Sequence, residues 1–222
     1  MSAWAYTEHE HGADLSTVET RAERSGDEIF VTGVKTFVAH ADTAENVVVL
    51  CAFDGQPTYL KVPLTDNNVE IHPILDLAGD TSLFEVVFDH SRAENQVCDP
   101  RPGRELADDG EFWDLVDLAR QRGRARDPLV RQHLAWAYAQ MRIINHVAEP
   151  LRNLLWSEYH RGLGELAIDL LGSDGMLRPE GEAYATNRWQ HLFLTSRGDT
   201  IAARTSEVQR TRIAEQLLGL PT

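Results

Sequence analysis

The sequence is poor in cysteine and has no long apolar run. Two cysteines, Cys51 and Cys98, among 222 residues are too few for a disulfide framework. No apolar run approaches the roughly 20 residues that a membrane-spanning helix needs, so no membrane span is predicted. Residues 1–4 open without a basic segment that leads into an apolar one. Together these absences predict a chain that works in a reducing cytoplasm.

Basic charge is scarce in the first half of the chain. Residues 1–110 hold 21 acidic and 7 basic side chains, whereas residues 111–222 hold 14 of each, which gives the net charge of −14. Such an acidic surface repels phosphate backbones, and nucleic-acid binding is therefore not expected. All 14 basic residues of the second part are arginines, which bind phosphates and carboxylates bidentately. This composition suits a phosphate-bearing ligand, and genomic bias explains it equally well.

Short β-branched and aromatic runs between residues 28 and 98 predict strands. Turn residues such as Gly26 and Gly55 separate the runs, and no helical period connects most of them. An antiparallel sheet or barrel is therefore favoured over βαβ units. The predicted strands cover residues 28–32, 46–53, 58–62 and 84–88.

The hydrophobic period changes after a linker at residues 101–110. Asp127 and Pro128 predict the N-cap and first turn of a helix, whose buried face recurs every three or four residues. A second helix is predicted over residues 151–171, and Pro150 separates it from the first. The predicted buried face of the first helix consists of Leu134, Ala137, Met141 and Ile144.

The last helix is predicted to begin with a capping box from Ser206 to Gln209 and to end at Gly219 and Pro221. Strands first and helices second indicate an α+β chain, with an antiparallel β-barrel or sheet lobe followed by an α-helical bundle lobe. We expect a β domain at residues 1–100, a linker at 101–110 and a helical domain at 111–222. The residues that the last helix is predicted to bury are Ile213, Ala214, Leu217 and Leu218.

Two separated blocks of the sequence carry a family resemblance. The first combines Tyr6-Thr7-Glu8 and Gly12-Ala13-Asp14 with Gly33-Val34-Lys35-Thr36-Phe37. The second runs from Thr205-Ser206-Glu207-Val208-Gln209-Arg210 to Leu218-Gly219-Leu220-Pro221. In this order the blocks resemble the flavin-binding middle domain and the C-terminal helical domain of the acyl-CoA dehydrogenases. The resemblance covers residues 4–99 and about 112 to the end, and it implies FAD as the cofactor.

The resemblance implies that four residues of the β lobe contact the flavin. Thr7 matches a threonine whose backbone and hydroxyl face the pyrimidine end of the ring, and Trp4 and Tyr6 match neighbouring contacts. Phe37 stands where the family usually has a tryptophan against the isoalloxazine. A flat aromatic supplies stacking area, and a hydroxyl supplies a hydrogen bond near the redox-active atoms. The alternative is that Trp4, Tyr6 and Phe37 are ordinary aromatics of the sheet core.

In the helical lobe, Thr205 and Glu207 match positions near the adenine end of the flavin cofactor. Capping of the last helix explains both residues equally well. Asp169 holds the position of a glutamine that leads a glycine-rich turn, here residues 172–175, which in relatives contacts the cofactor of a neighbouring subunit. A carboxylate near a pyrophosphate is repulsive, so this substitution weakens the contact.

The family's reaction removes a proton alpha to a thioester carbonyl and transfers a hydride from the beta carbon to the flavin, which requires a carboxylate base. One known placement of the base corresponds to Ala203, and the other falls near the polar connection at residues 98–110. No catalytic residue is therefore identified. Relatives also begin with an all-helical domain that closes the acyl pocket, whereas this sequence begins at the equivalent of the β lobe.

The resemblance leaves two functional hypotheses. The first is an FAD-dependent flavoprotein that desaturates an acyl-CoA in fatty acid or lipid metabolism and passes electrons to an electron-transfer flavoprotein. Such an enzyme would be a homo-oligomer, or a hetero-oligomer with a full-length relative. The alternative is a non-catalytic partner subunit or truncated relic of an acyl-CoA dehydrogenase complex. No metal site is predicted, because residues 8–11 offer two histidines and no identifiable third ligand.

Overall fold

A computed structural model describes residues 2–10, 12, 17–97, 109–177, 187–202 and 204–221, without the side chains of residues 95 and 96. The chain forms two compact units, Met1–Asp76 with Asp80–Pro102 and Leu77–Gly79 with Gly103–Thr222. Strands make up the first unit and helices the second, which confirms the α+β prediction. Most of the predicted linker, residues 101–108, lies outside the described residues, so the predicted domain bounds stay a prediction.

The described residues of the first unit form eight strands, which join in one sheet. They are β1 (Ser2–Ala5), β2 (Arg21–Ser25), β3 (Glu28–Ala39), β4 (Asn46–Phe53), β5 (Gln56–Pro63), β6 (Val69–Ile74), β7 (Leu83–Ala93) and β8 (Asn95–Val97). Their order is β6-β7-β3-β2-β4-β5-β8, and β1 pairs with β4 beside this path. The other pairs are antiparallel, as predicted, but β1 and β2 both run parallel to β4, so the sheet is mixed.

The core of the first unit follows the two-residue period of its strands. Along β5, Thr58, Leu60 and Val62 are buried while the residues between them are partly exposed. β4 matches its predicted bounds and is buried at every position from Val47 to Cys51. The apolar core includes Val31, Val38, Val47, Val49, Leu60, Val62, Phe84, Val86 and Phe88.

β3 is longer than predicted, and an irregularity in it shapes the candidate site. The predicted strand stops at Thr32, but β3 continues through Gly33, where a Cβ atom would lie 2.8 Å from the Cα of Thr20. Further on, three steps along β3 from Lys35 to Val38 oppose two steps along β7. The extra residue makes a β-bulge, which bends the strand and re-aims the side chains that it carries.

The described residues of the second unit form five α-helices. They are α1 (Asp109–Gln121), α2 (Pro128–Ile144), α3 (Leu151–Leu171), α4 (Arg188–Asp199) and α5 (Ser206–Gln216), with a 3-10 turn at Gly172–Met176. α2 begins as predicted, because the Asp127 carboxylate accepts a hydrogen bond from the Leu129 amide at 2.9 Å and Pro128 is the first helical residue. α3 has its predicted bounds and ends at Gly172, whose φ is 58°.

α3 packs against each of the other four helices. Of the predicted face of α2, Leu134 is partly buried and the other three residues are buried. Between α3 and α4 the backbones approach closely, since a Cβ atom at Gly164 would lie 2.9 Å from the Cα of Phe193. The core of this unit includes Leu115, Ala137, Met141, Ile144, Tyr159, Leu163 and Leu170.

α5 differs from its prediction at both ends. Its N-cap is Thr205 rather than Ser206, because the Thr205 hydroxyl accepts a hydrogen bond from the Val208 amide. Leu217 and Leu218 are exposed rather than buried, since the helix stops at Gln216 and the predicted buried face does not continue past it. Within the part of the chain that the structure describes, no helix is long and apolar enough to cross a membrane.

Candidate functional site

Trp4 and Tyr6 lie two residues apart on one side of the chain at β1. Their ring centroids are 6.2 Å apart and their planes differ by 11°, so the two rings stack. Tyr6 also meets Tyr59 of β5 edge-on, with 6.1 Å between the centroids. Both Trp4 and Tyr6 are partly buried, so they border the core without being enclosed by it.

Phe37 lies on the bulge of β3 and is not a core aromatic. Its φ is 56°, in the left-handed region that a bulky residue rarely adopts. Its side chain is 58% exposed, although the residues on either side of it, Thr36 and Val38, are buried. The bulge therefore presents an apolar ring at the surface at a cost in backbone strain.

The structure brings Thr7 next to this bulge. The Thr7 carbonyl accepts a hydrogen bond of 2.9 Å from the amide of Thr36, the residue before Phe37. Thr7 itself is partly buried. The segment that carries Trp4, Tyr6 and Thr7 is thus fastened to the strand that carries Phe37. Residues 13–16 of the same sequence block, including Ala13 and Asp14, lie outside the described residues.

A buried ion pair, which the sequence did not suggest, lies beneath these residues. The Lys35 ammonium lies 2.8 Å from a carboxylate oxygen of Glu8 and also donates to the Tyr6 carbonyl at 3.2 Å. Glu8 accepts further bonds from the amide and the hydroxyl of Thr20, at 2.8 and 2.6 Å, and from the Glu19 amide at 2.7 Å. The only clue to this ion pair in the sequence is Lys35, a charged residue in a strand whose neighbouring residues are apolar or carry hydroxyl groups.

The pKa directions follow from this network. Burial alone would raise the pKa of Glu8, but the hydrogen bonds from Lys35 and then Thr20 outweigh it and lower the pKa to about 2. Burial lowers the pKa of Lys35, and its hydrogen bond to Glu8 opposes that change. Burial also raises the pKa of the nearby Cys51 thiol to about 12. Cys51 is therefore neutral at physiological pH and is not a nucleophile.

A cavity of about 580 Å³ lies against the network in the same unit. Phe30 and His90 stack on one another at its wall, with ring centroids 4.1 Å apart. Its carboxylates outnumber its cations, so the cavity does not favour a phosphate group. Its charged lining residues are Glu8, Glu10, Glu19, Arg21 and Glu23.

Thr205 and Glu207 lie at the first turn of α5 in the helical unit. Thr205 is the N-cap, as the capping alternative requires. The Glu207 carboxylate accepts a hydrogen bond from its own backbone amide and one from the Thr205 hydroxyl, and these two bonds, in that order, lower its pKa. The carboxylate thus occupies the positive end of the helix dipole. A role for these two residues at the adenine end of FAD stays a prediction.

Arginines compensate the carboxylates around the turn after α3. Arg124 lies 3.2 Å from a carboxylate oxygen of Asp169, and Arg122 pairs with Asp174. Arg124 also binds the N-cap residue Asp127 at 2.8 Å. The repulsion that Asp169 would exert on a pyrophosphate is therefore partly offset by a neighbouring guanidinium.

His160 of α3 lies in a partly buried cluster of charged side chains. Its Nδ1 atom lies 2.6 Å from Asp199, and its Nε2 atom lies 3.3 Å from Glu111. Ser157, one turn earlier, donates its hydroxyl hydrogen to the Leu154 carbonyl at 3.0 Å. The imidazole is thus held by two carboxylates and is not paired with a serine nucleophile.

Two family models match most of the chain. The model "Acyl-CoA dehydrogenase, middle domain" matches residues 3–91, and "Acyl-CoA dehydrogenase, C-terminal domain" matches residues 129–218. The proteins named acyl-CoA dehydrogenase IpdE1 of Mycobacterium tuberculosis and Mycolicibacterium smegmatis are each 32% identical to the chain over 97% of its length. The chain spans 66% of the length of each of these relatives.

Solved structures share the fold at lower sequence identity. The ChsE4–ChsE5 complex from Mycobacterium tuberculosis matches with a TM-score of 0.79 and 19% identity, covering 100% of this chain and 69% of that one. The Tcur3481–Tcur3483 steroid ACAD matches with a TM-score of 0.77 and 23% identity, over 100% and 68%. A glutaryl-CoA dehydrogenase from Mycobacterium smegmatis in complex with FADH2 matches with a TM-score of 0.70 and 18% identity, over 100% and 67%.

Proposed function

The chain belongs to the acyl-CoA dehydrogenase family, and from that membership we propose that it takes part in FAD-dependent alpha,beta-dehydrogenation of an acyl-CoA thioester. The observation that best supports the proposal is the exposure of the Phe37 ring on the bulge of β3. An exposed aromatic ring on a strained bulge adds little to the stability of its own unit. A bound flavin ring would cover it, and a neighbour of the same fold is in complex with FADH2.

The residues of the β unit fit a flavin ring. FAD, when bound, accepts the hydride of the reaction. Phe37 supplies apolar stacking area, and the backbone and hydroxyl of Thr7 supply hydrogen bonds at the polar edge. The stacked pair Trp4 and Tyr6 extends the aromatic surface beside Thr7. We keep these four residues, with Thr205 and Glu207 for the adenine end, as the proposed cofactor contacts.

The proton-abstracting carboxylate is not assigned to this segment. Glu8 is the carboxylate nearest to Thr7 in sequence, but its pKa of about 2 and its four hydrogen-bond donors make it a poor base. Ala203, at one family placement of the base, lies outside the described residues and carries no carboxylate. We propose that the base comes from another part of the assembly, and that an electron-transfer flavoprotein reoxidises the cofactor.

An oligomer is part of the proposal. Leu129, Trp136 and Ile143 are exposed on α2 and stand seven residues apart, so they lie along one stripe of the helix. This heptad spacing is typical of a helix that packs against another helix. Two of the structural neighbours are named as two-component proteins, ChsE4–ChsE5 and Tcur3481–Tcur3483. A homo-oligomer, or a hetero-oligomer with a full-length relative, would cover the stripe.

The second candidate is a non-catalytic partner subunit. The alanine at position 203 favours it, because a subunit without a base can still supply an interface and half of a cofactor site. The two candidates differ in what the chain does alone. A partner subunit acquires flavin only with its relative, whereas an enzyme is yellow by itself and is bleached by an acyl-CoA.

The test is the visible spectrum of the purified chain, alone and co-purified with a full-length relative, followed by FAD titration of two matched variants. Phe37→Ala is expected to weaken FAD binding about tenfold, since a lost aromatic contact is worth about 1.4 kcal/mol. Phe30→Ala removes a ring of the same strand that stacks on His90, and it should leave FAD binding unchanged. Equal losses in the two variants would contradict the proposed flavin contact, and a chain that is colourless in every assembly would refute FAD binding.

A further inference from the structure

Lys35 holds both neighbours of Thr7 at once. Its ammonium donates to the Tyr6 carbonyl at 3.2 Å and to the Glu8 carboxylate at 2.8 Å. The next residue of β3, Thr36, donates its amide hydrogen to the Thr7 carbonyl at 2.9 Å. Three consecutive residues of the proposed flavin-contacting segment are thereby tied to two consecutive residues of β3.

The Glu8 carboxylate is also held by residues outside β3. Glu8 accepts bonds from the amide and hydroxyl of Thr20 and from the Glu19 amide, in addition to the bond from Lys35. Close approach of Gly33 packs Thr20 against β3. The carboxylate is thus occupied by four donors within the protein, which leaves it a structural role rather than a role in proton transfer.

The position of Lys35 in the sequence links this network to Phe37. Lys35 is the last residue in register before the bulge, and pairing with β7 resumes at Val38. The side chain that holds residues 6 and 8 is fully buried, with 0% exposure, and it belongs to the residue at which the bulge begins. A buried ion pair is costly to desolvate, and replacing one by apolar residues is often neutral for stability. The positioning of residues 6–8 therefore explains the ion pair of Lys35 and Glu8 better than a gain in stability does.

We infer that Lys35 is a positioning residue that holds Thr7 and Phe37 in the relation that a flavin ring requires. The inference rests on the proposed FAD site. Lys35 acts through the backbone of residues 6–8 and does not itself contact the reacting atoms.

The experiment compares the full chain, in the assembly that binds FAD, with three variants. Lys35→Met removes the ammonium and leaves a buried carboxylate at Glu8. The double variant Glu8→Gln with Lys35→Met removes both charges. Lys61→Met is the matched control, because Lys61 also pairs with a glutamate, Glu94, at 2.9 Å but is 30% exposed. FAD dissociation constants, the shape of the bound flavin spectrum and melting temperatures are measured for each.

Lys35→Met is expected to lose both thermal stability and FAD affinity. The double variant should recover much of the melting temperature, because no buried charge is left unpaired. Its FAD affinity should stay about tenfold below that of the wild type, and its flavin spectrum should remain altered, because the Tyr6 carbonyl is still unanchored. Lys61→Met should match the wild type in affinity and spectrum.

A fourth variant, Glu8→Gln, leaves the buried Lys35 ammonium without its counter-charge and should lower the melting temperature. Its FAD affinity should nevertheless stay within about twofold of the wild type when FAD is titrated well below that temperature, because Lys35 can still donate to the Tyr6 carbonyl. A double variant that recovers affinity together with stability would show that Lys35 only stabilises the fold, and the inference would fail. If Glu8→Gln bound FAD as weakly as the double variant, the loss of affinity would come from the missing carboxylate charge and not from the bond between Lys35 and the Tyr6 carbonyl. That result would also overturn the inference. If the wild type itself binds no FAD in any assembly, the proposed function fails. If the wild type binds FAD and the double variant binds it equally well, only the inference about Lys35 fails.

Discussion

Raising the pH is expected to weaken the helical unit through one side chain, His160 of α3. The imidazole is 14% exposed and lies 2.6 Å from Asp199 of α4 and 3.3 Å from Glu111 of α1. Burial alone would lower the pKa of His160, but its hydrogen bonds to Asp199 and then to Glu111 raise the pKa to about 9. The imidazolium therefore links three helices by charge.

The sign and size of the effect follow from the shift. The folded pKa of about 9 lies above the ordinary value of 6.5, so the folded state holds the proton more tightly than the unfolded state. The stabilisation is fully present below pH 6.5 and is lost as the pH rises through about 9. Each pKa unit corresponds to about 1.36 kcal/mol, so the total loss is on the order of 3 kcal/mol.

The assay is urea unfolding followed by far-ultraviolet circular dichroism, from about pH 6 to about pH 10, on the wild type and His160→Gln. The variant cannot gain a proton, so the difference in unfolding free energy between the two proteins isolates His160 from other titrating groups. This difference should shrink by about 3 kcal/mol across the range. A difference that stays constant with pH, or an imidazole that titrates near 6.5 in an NMR experiment, would refute the reasoning.

Two further predictions concern the helical unit and are tested by thermal and urea unfolding. Gly164→Ala places a methyl group 2.9 Å from the Cα of Phe193 and should cost roughly 1–3 kcal/mol, whereas Gly198→Ala in α4 meets nothing within 4 Å and should be neutral or stabilising by about 0.5 kcal/mol. Similar effects of the two changes would argue against close packing of α3 and α4. Asp127→Ala removes the N-cap of α2 and should cost about 1 kcal/mol, while Asp117→Ala breaks only an exposed i,i+3 pair and should change stability by less than about 0.5 kcal/mol. Equal costs for the two aspartates would contradict the capping role.

Local sequence signals predicted the elements that depend on local chemistry. The Asp127 cap and the glycine at position 172 fixed one end each of α2 and α3, because a cap bond or a positive φ is encoded by a single residue. β4 was predicted to its last residue, since it contains a run of β-branched and other apolar residues and turn residues follow it.

Elements that depend on distant partners were missed. β2 carries mostly charged and small residues, and it becomes a strand through pairing with β3 and β4. Leu217 and Leu218 follow the apolar pattern of a buried face, but the chain leaves the helix before it reaches them. For β2, tertiary context overrides the local pattern. For Leu217 and Leu218, the end of the helix at Gln216 interrupts the apolar pattern.

In the candidate site, too, the sequence identified some residues and missed those that depend on distant partners. The motif identified Thr7 and Phe37, but the left-handed backbone that exposes Phe37 has no glycine or asparagine to mark it in the sequence. The Lys35 pair with Glu8 joins residues 27 positions apart, and His160 meets Asp199 across 39 positions. No spacing rule for helices or strands connects such residues, so only the folded chain shows them together.

The enclosure of Lys35 has a practical consequence for chemical labelling. The sequence contains two lysines, and the structure buries Lys35 completely while leaving Lys61 of β5 partly exposed. Of the two lysines, an amine-reactive dye should therefore modify Lys61 and spare Lys35 as long as the β unit stays folded. Partial unfolding of the β unit would expose the Lys35 amine, so dye attached at Lys35, located by peptide mapping, would report opening of the β unit in any assembly the protein enters.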